Sequence, residues 1–325
     1  MMFVSRRTAL LASLATLAVS AAPAARGQTG RADPKRLRIG TSNTFGFAAT
    51  FKANGDDTFN GFSFEIVPFN GGSPQIISAL NAGELDIGEL GEVGPVVAQS
   101  ADIPFKIIAA TEPWGEGQGI LVDNKSTIAN LADLKGKKIS YTRSTNSHWV
   151  LLKTLEKAGL KPDQVQHIFL PPGTNVQAVL ETGGIDAAIA IDTLLTAFER
   201  SGSRRLASGA EVGAENPLYY IASDAAITNK NAAIAAFVAA LAKHVAWGHA
   251  KPEERAKAVA ELLRIDPEIA LIAERKRPAR LALIGDRLRA NNQKISDVFF
   301  EQGLIGKRLD ASLSFTDQFN GSIAP

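Results

Sequence analysis

Short apolar runs that alternate with helix-period segments constrain this chain more than any other feature. Runs of strand character fall at 37–40, 64–69, 85–90, 106–111, 119–122, 138–142, 166–170, 186–191 and 219–223. Between most of them apolar residues recur at spacings of three and four. Ile76, Ile77 and Leu80 mark one such segment, Leu151, Leu152 and Leu155 a second, and Val176, Val179 and Leu180 a third. This alternation predicts an α/β protein with mostly parallel sheets. Towards the C-terminus the pattern changes: 231–250, 252–264, 267–275 and 284–302 read as helices with no strong strand between them.

The first 28 residues speak of compartment rather than fold. Ser5-Arg6-Arg7-Thr8 is a twin-arginine pair followed by an apolar run to Ala22, and Ala22-Pro23-Ala24-Ala25 offers small residues for a signal peptidase. Residues 1–24 therefore read as an export signal, too short for a membrane span. The arginine pair favours the Tat route, although two arginines also occur in ordinary Sec signals. Cleavage would remove Arg6 and Arg7 and no acid, so 35 bases against 33 acids become 33 against 33. A neutral mature chain has no electrostatic footprint for nucleic acid or anionic lipid. The chain has no cysteine, hence no lipidated cysteine to tether it and no disulfide to brace it. The expectation is a soluble, unanchored periplasmic protein with a core large enough for two lobes. No second run of 18 apolar residues is apparent, so no span is expected.

Chemistry concentrates in the strand-to-helix turns, where open parallel sheets bind ligands. Gly40-Thr41-Ser42-Asn43-Thr44 follows the first run, and Asn70-Gly71-Gly72-Ser73-Pro74 follows the second. Arg143-Ser144-Thr145-Asn146 opens a helix that stops at Gly159. Backbone N–H groups at a helix start, with hydroxyl donors and the helix dipole, suit an anion. A single such turn reads as a cap; three that converge on one cleft read as an anion site. Arg143 adds a positive charge beside the third turn, with a solvated arginine as the alternative. Walker and dinucleotide fingerprints are absent from the sequence.

Several segments resemble the periplasmic solute-binding proteins of ABC importers, and within them the aliphatic sulfonate-binding type of the nitrate/sulfonate/taurine family. Asn81-Ala82-Gly83-Glu84-Leu85-Asp86-Ile87-Gly88 is similar to "LNAGxxDxG", and Leu131-Ala132-Asp133-Leu134-Lys135-Gly136-Lys137-Lys138-Ile139 to "xxDLKGKKV". Ser144-Thr145-Asn146-Ser147-His148-Trp149, with Leu151-Leu152 and Leu155 to Leu160, resembles "GSNxHxxLLxxLEKAGL". Phe169-Leu170-Pro171-Pro172 resembles "YLPP", Tyr220-Ile221-Ala222-Ser223 "YLAS", and Phe299, Phe300 with Gly303-Leu304-Ile305 the closing "FxxLGLI".

The resemblance implies a type II periplasmic-binding-protein fold: two α/β lobes joined by two crossover segments, with a helical C-terminal tail. Lobe 1 would take 36–113 and 220–325, lobe 2 would take 117–215, and the crossovers would lie near 113–119 and 215–219. The lobes would close on a small sulfonate-type anion for delivery to a membrane permease, without cofactor, metal or catalysis, as a monomer. Ser42 with Asn43, Gly72 with Ser73, Gly91 with Glu92, and Arg143, Ser144, Thr145 and Asn146 would form the site. Asp192 joins them as the acid of a "Trp-Asp-Pro" that here reads Ile191-Asp192-Thr193. Losing that tryptophan removes an aromatic lid, and Trp114 or Trp149 would substitute, although a core place suits Trp149. Ser144 also stands where the family often has glycine, which leaves the backbone less free to approach a ligand.

Four acids, Glu89, Glu92, Glu112 and Glu116, cluster near the same turns. Solvated surface carboxylates are one reading. A zwitterion such as taurine, the alternative ligand, would need one for its ammonium end, with Glu92 placed first and Glu112 second. A nitrate-type anion is a further alternative. An enzyme on the same fold is the competing class. The carbon–sulfur hydrolases of this fold use a cysteine that this chain lacks. His148 matches a histidine that the binding proteins also carry, and His244 and His249 do not make a metal pair.

Overall fold

The computed structural model describes residues 33–42, 50–51, 54–70, 72–171 and 173–323. The expected export signal, Asn43 and Pro172 lie outside the described residues. The chain begins with β1 (Arg36–Ser42), β2 (Thr58–Phe59), β3 (Phe62–Phe69), α1 (Ser73–Asn81), β4 (Ile87–Leu90), α2 (Gly94–Ser100) and β5 (Phe105–Thr111). It continues through β6 (Gln118–Val122), β7 (Lys138–Ser140), α3 (Asn146–Ala158), β8 (Gln166–Ile168), α4 (Val176–Glu181), β9 (Ala187–Ile191), α5 (Thr193–Arg200), β10 (Arg204–Ser208) and α6 (Gly209–Val212). It ends with β11 (Tyr219–Ser223), α7 (Asp224–Asn229), α8 (Asn231–Ala250), α9 (Pro252–Leu263), α10 (Pro267–Arg275), β12 (Leu281–Ala282) and α11 (Asp286–Glu301).

Two sheets result, ordered β12-β5-β11-β4-β1-β3-β2 and β10-β6-β9-β7-β8. The expectation of mostly parallel sheets needs correction, because both are mixed. β1 runs parallel to β3 and β4, and β7 runs parallel to β8 and β9. β11, however, lies antiparallel between β4 and β5, and β6 lies antiparallel between β9 and β10. These are the first strands laid down after each passage between the sheets. A chain that leaves one sheet at the carboxyl ends of its strands and enters the other at the same end must run backwards through it. The antiparallel strands thus record that both sheets turn their ligand-binding edges towards each other.

The two connections lie side by side. The Thr111 N–H donates to the Leu218 carbonyl at 2.9 Å, and the Leu218 N–H returns to Thr111 Oγ1 at 3.0 Å. The Trp114 N–H donates to the Glu215 carbonyl at 2.8 Å. Gly115 belongs here for space: a Cβ would come within 2.6 Å of the Ala210 nitrogen.

Each sheet carries its own apolar core. Under the first, Leu37, Ile39, Ile108 and Tyr220 meet Phe237, Leu241 and Val245 of α8. That helix is long and apolar enough to cross a membrane by composition, a property the count of apolar runs overlooked. Half of its 20 residues are buried, Phe237, Leu241 and Val245 in the core of the first sheet. In the second, Ile120, Ile139 and Ile189 pack on Trp149 and Leu151 of α3, so Trp149 takes the core place expected of it. The closing helix α11 contributes to two cores: Leu288 packs with Ile76 and Leu80, whereas Ile295 and Phe299 pack with Trp149. Phe237 is fully buried among the rings of Phe51, Phe64 and Tyr220. Phe237→Ala is expected to cost about 3–5 kcal/mol, read as a lowered midpoint in urea denaturation.

Candidate ligand-binding cleft

A cleft of about 260 Å³ opens where the turns after β1, β3, β4, β7 and β9 meet. Ser42, Gly72, Ser73 and Gly91 line it from the first sheet, and Ser144, Thr145 and Asn146 from the second. The sequence therefore placed seven of its expected residues around one space. Thr142 and Ser147 also line it; they flank the expected turn and share its hydroxyl chemistry. An aliphatic wall completes it, with Pro74, Ile77, Val93 and Val97 on one side and Ile189, Ile191 and Leu194 on the other. Ile189 and Ile191 share a face of β9 by alternation, which was the readable signal for them.

Two helix starts border this space, and the start of a helix is its positive end. α1 begins at Ser73, and its cap Gly72 has φ 66°, a conformation in which glycine is at ease. α3 begins at Asn146 after a turn that braces itself. Ser147 Oγ accepts the Thr142 N–H at 2.9 Å, and Thr145 Oγ1 donates to the Thr142 carbonyl at 2.8 Å. The Ser144 N–H donates to His148 Nδ1 at 3.2 Å. The His148 ring lies on Tyr141 and Phe299. Burial, then His167 and Arg143, pull its pKa down to about 4, so the imidazole is neutral and shapes the turn as an acceptor.

Asn146 joins the two sides. Its Oδ1 accepts the Val93 N–H at 3.2 Å and its Nδ2 donates to Asn216 Oδ1 at 3.0 Å. Gly91 makes this approach feasible, since a Cβ there would lie 2.6 Å from Asn146 Oδ1. Within the first side, Ser73 Oγ accepts the Gly91 N–H at 3.3 Å and ties the turns after β3 and β4 together.

Four expected site residues stand elsewhere. Arg143 is exposed and does not line the cleft. Glu112 sits on the first crossover, where Arg280 Nε meets it at 3.3 Å. Glu92 is fully buried in the hinge: Gln118 Nε2 donates to it at 3.0 Å. Burial lifts its pKa to about 7 against the pull of hydrogen bonds from Gln118, Asn216 and Asn291. Asp192, also buried, is held by Arg277. Glu89 is neither solvated nor in the cleft. It is fully buried, accepts from the Tyr220 hydroxyl at 3.2 Å, and burial pushes it up to about 7. Glu116 is mostly exposed, accepting from Ser208 Oγ at 2.8 Å. The spacing of these acids along the chain gave no sign of which ones fold inward. No titratable side chain lines the cleft among the described residues, and none of them form a cluster of three metal-ligating groups.

Ser144 has φ 57°, in the left-handed region. Ser144→Gly keeps the N–H that His148 accepts and is expected to raise stability by about 1 kcal/mol in urea denaturation. Glu92 predicts a pH effect of definite sign. Its carboxyl titrates near 4.5 in the unfolded chain and near 7 when folded. The native protein thus holds a proton that the unfolded chain releases, and stability falls as pH rises through that window. Glu92→Gln is expected to gain up to about 3 kcal/mol over wild type at pH 8 and nothing at pH 4. A variant with the wild-type pH slope would place the titration elsewhere.

The sequence model of the family described as NMT1/THI5 like matches residues 59–255. Among solved structures, the chain is similar to the periplasmic aliphatic sulphonate binding protein SsuA from Escherichia coli, with TM-score 0.80 and 26% identity. That match covers 87% of this chain and 97% of the other. The alkanesulfonate-binding protein SsuA from Xanthomonas axonopodis pv. citri, bound to MOPS, gives TM-score 0.78 and 25% identity over 88% of this chain and 99% of that one. The taurine-binding periplasmic protein of Escherichia coli (strain K12) is 31% identical over 153 residues, 46% of this chain and 47% of the relative. These relatives are binding proteins.

Proposed function

We propose that this chain, which belongs to the NMT1/THI5-like family, is the solute-binding component of an ABC import system. It captures a small sulfonate-type anion between its halves and presents it to a permease in the inner membrane. The halves are bounded as the sequence suggested, 36–113 with 220–325 and 117–215. The mature protein is exported, soluble, free of a lipid anchor and monomeric, and it transforms nothing.

The observation that carries this reading is the chemistry of the cleft. Two helix starts and a set of Ser, Thr and Asn side chains line it, and its other described lining residues are aliphatic or glycine. Neutral donors suit the three oxygens of a sulfonate, which stays ionised without a counter-charge. The aliphatic wall suits a hydrocarbon tail. A zwitterion fits less well, because none of the described lining residues carries a carboxylate for an ammonium group. Catalysis lacks a general base for the same reason. The bound solute would bring the halves together, and the closed shape is what a permease reads.

Size sets an expectation for the tail. A space of about 260 Å³ holds roughly nine water-sized atoms at ~30 Å³ each. The sulfonate uses four of them, leaving room for about four or five carbons. Calorimetry across the 1-alkanesulfonates should show affinity rising by up to about fourfold per methylene, then levelling near that length. Taurine should bind more weakly than propanesulfonate. Equal affinity for the two would put a carboxylate at the tail, and no binding by any member of the series would remove the sulfonate reading.

A further inference from the structure

The end of β9 carries a charge arrangement that capture of an anion leaves unused. Asp192 has φ 60° and ψ −128°, a conformation a residue with a Cβ holds only when its surroundings enforce it. Its carboxylate is fully buried and receives Arg277 Nη2. Arg277 Nε donates to Glu274 Oε1 at 2.7 Å, and Glu274 meets Arg255 at 3.1 Å. The Arg277 guanidinium lies 5.0 Å over the ring of Trp114 on the first crossover. Side-chain exposure across Asp192, Arg277, Glu274 and Arg255 is 2% or less.

The partners come from different sheets. Asp192 closes β9 of the second, whereas Arg277 stands just before β12, which pairs with β5 in the first. Asp192 also lies between Ile191 and Leu194, both in the cleft wall. We propose that Arg277 gripping Asp192 is a clasp between the two halves that positions Ile191 and Leu194 and sets how tightly the cleft closes. Asp192 is then a positioning residue and not a ligand contact. The effect on affinity rests on the binding function proposed above; the effect on shape does not.

The energetics give the clasp a signature. A buried ion pair gains little over its separated, hydrated charges, because desolvation offsets the attraction. A single buried charge without its partner is costly. Opening the halves returns both groups to water. Removing one partner therefore penalises only the closed form, and the apparent affinity falls by the factor through which closure becomes less populated. Removing both leaves neither charge stranded.

The test uses the full mature chain with Asp192→Asn, Arg277→Met and the double variant. Binding of 1-butanesulfonate is measured by calorimetry, and the ligand-free radius of gyration by small-angle scattering. Each single variant is expected to bind at least tenfold more weakly and to be expanded without ligand. The double variant is expected to recover to within about threefold of wild type. Should a single variant fail to fold, Arg277→Lys keeps the charge without the fork and is expected to fall between wild type and Arg277→Met. Single variants that bind and scatter like wild type would overturn the clasp, as would a double variant no better than either single. If no sulfonate binds the wild type, the binding function fails. The scattering then decides the clasp alone, and an unchanged radius in both single variants overturns it.

Discussion

The structure depends on a short ladder between two strands of connecting chain. Thr111 and Leu218 exchange hydrogen bonds, and Trp114 and Glu215 add another, so the chain leaves the first sheet and returns along one shared track. Every other relation follows from it. The sheets can meet only at the edges where the track enters, and those edges are the carboxyl ends of their parallel strands. Helix starts and glycine-rich turns accumulate at such edges for local reasons, since each strand must hand over to a helix. The ladder converts turns that are far apart in sequence into the walls of one cleft.

Polar groups are divided between hinge and cleft in a way that suits both. Glu92 meets Gln118 and Arg277 lies over Trp114 of the first connection, and these two, with Glu89, Asp192, Glu274 and Arg255, are all fully or almost fully buried. Buried polar groups have few satisfactory partners, so they fix one arrangement of the connecting segments. The cleft instead presents hydroxyls, amides and backbone N–H groups. Charge holds the frame, and neutral dipoles face the solute.

The fold was largely legible because its signals are periodic. All nine strand-like runs contain strands, although 138–142 and 166–170 end early, at Ser140 and Ile168. The strands that escaped notice are edge pieces: Thr58–Phe59 and Leu281–Ala282 are two residues long, and Arg204–Ser208 opens with paired arginines. Edge strands carry charge or stay short, which erases the alternation that marks a strand. The turns of the cleft were legible by composition, because Gly72, Ser73, Thr145 and Asn146 announce helix starts. Glu92 and Asp192, expected in the cleft, are buried outside its lining, because sequence gives a carboxylate's position along the chain, not the direction it faces. Only the partners decide that, and Gln118 and Arg277 lie 26 and 85 residues away.

The closing helix α11 has a mechanical consequence. It is a rod of 16 residues, about 24 Å long at 1.5 Å per residue, with Leu288 near one end set in the core beside α1 and Phe299 near the other set beside Trp149. Parting the halves straight along the rod would draw an aromatic ring out of a packed core. Swivelling around it leaves both ends seated. α11 therefore ties the two cores together at a fixed span, so any movement between the halves must keep both of its ends seated or expose a buried apolar side chain.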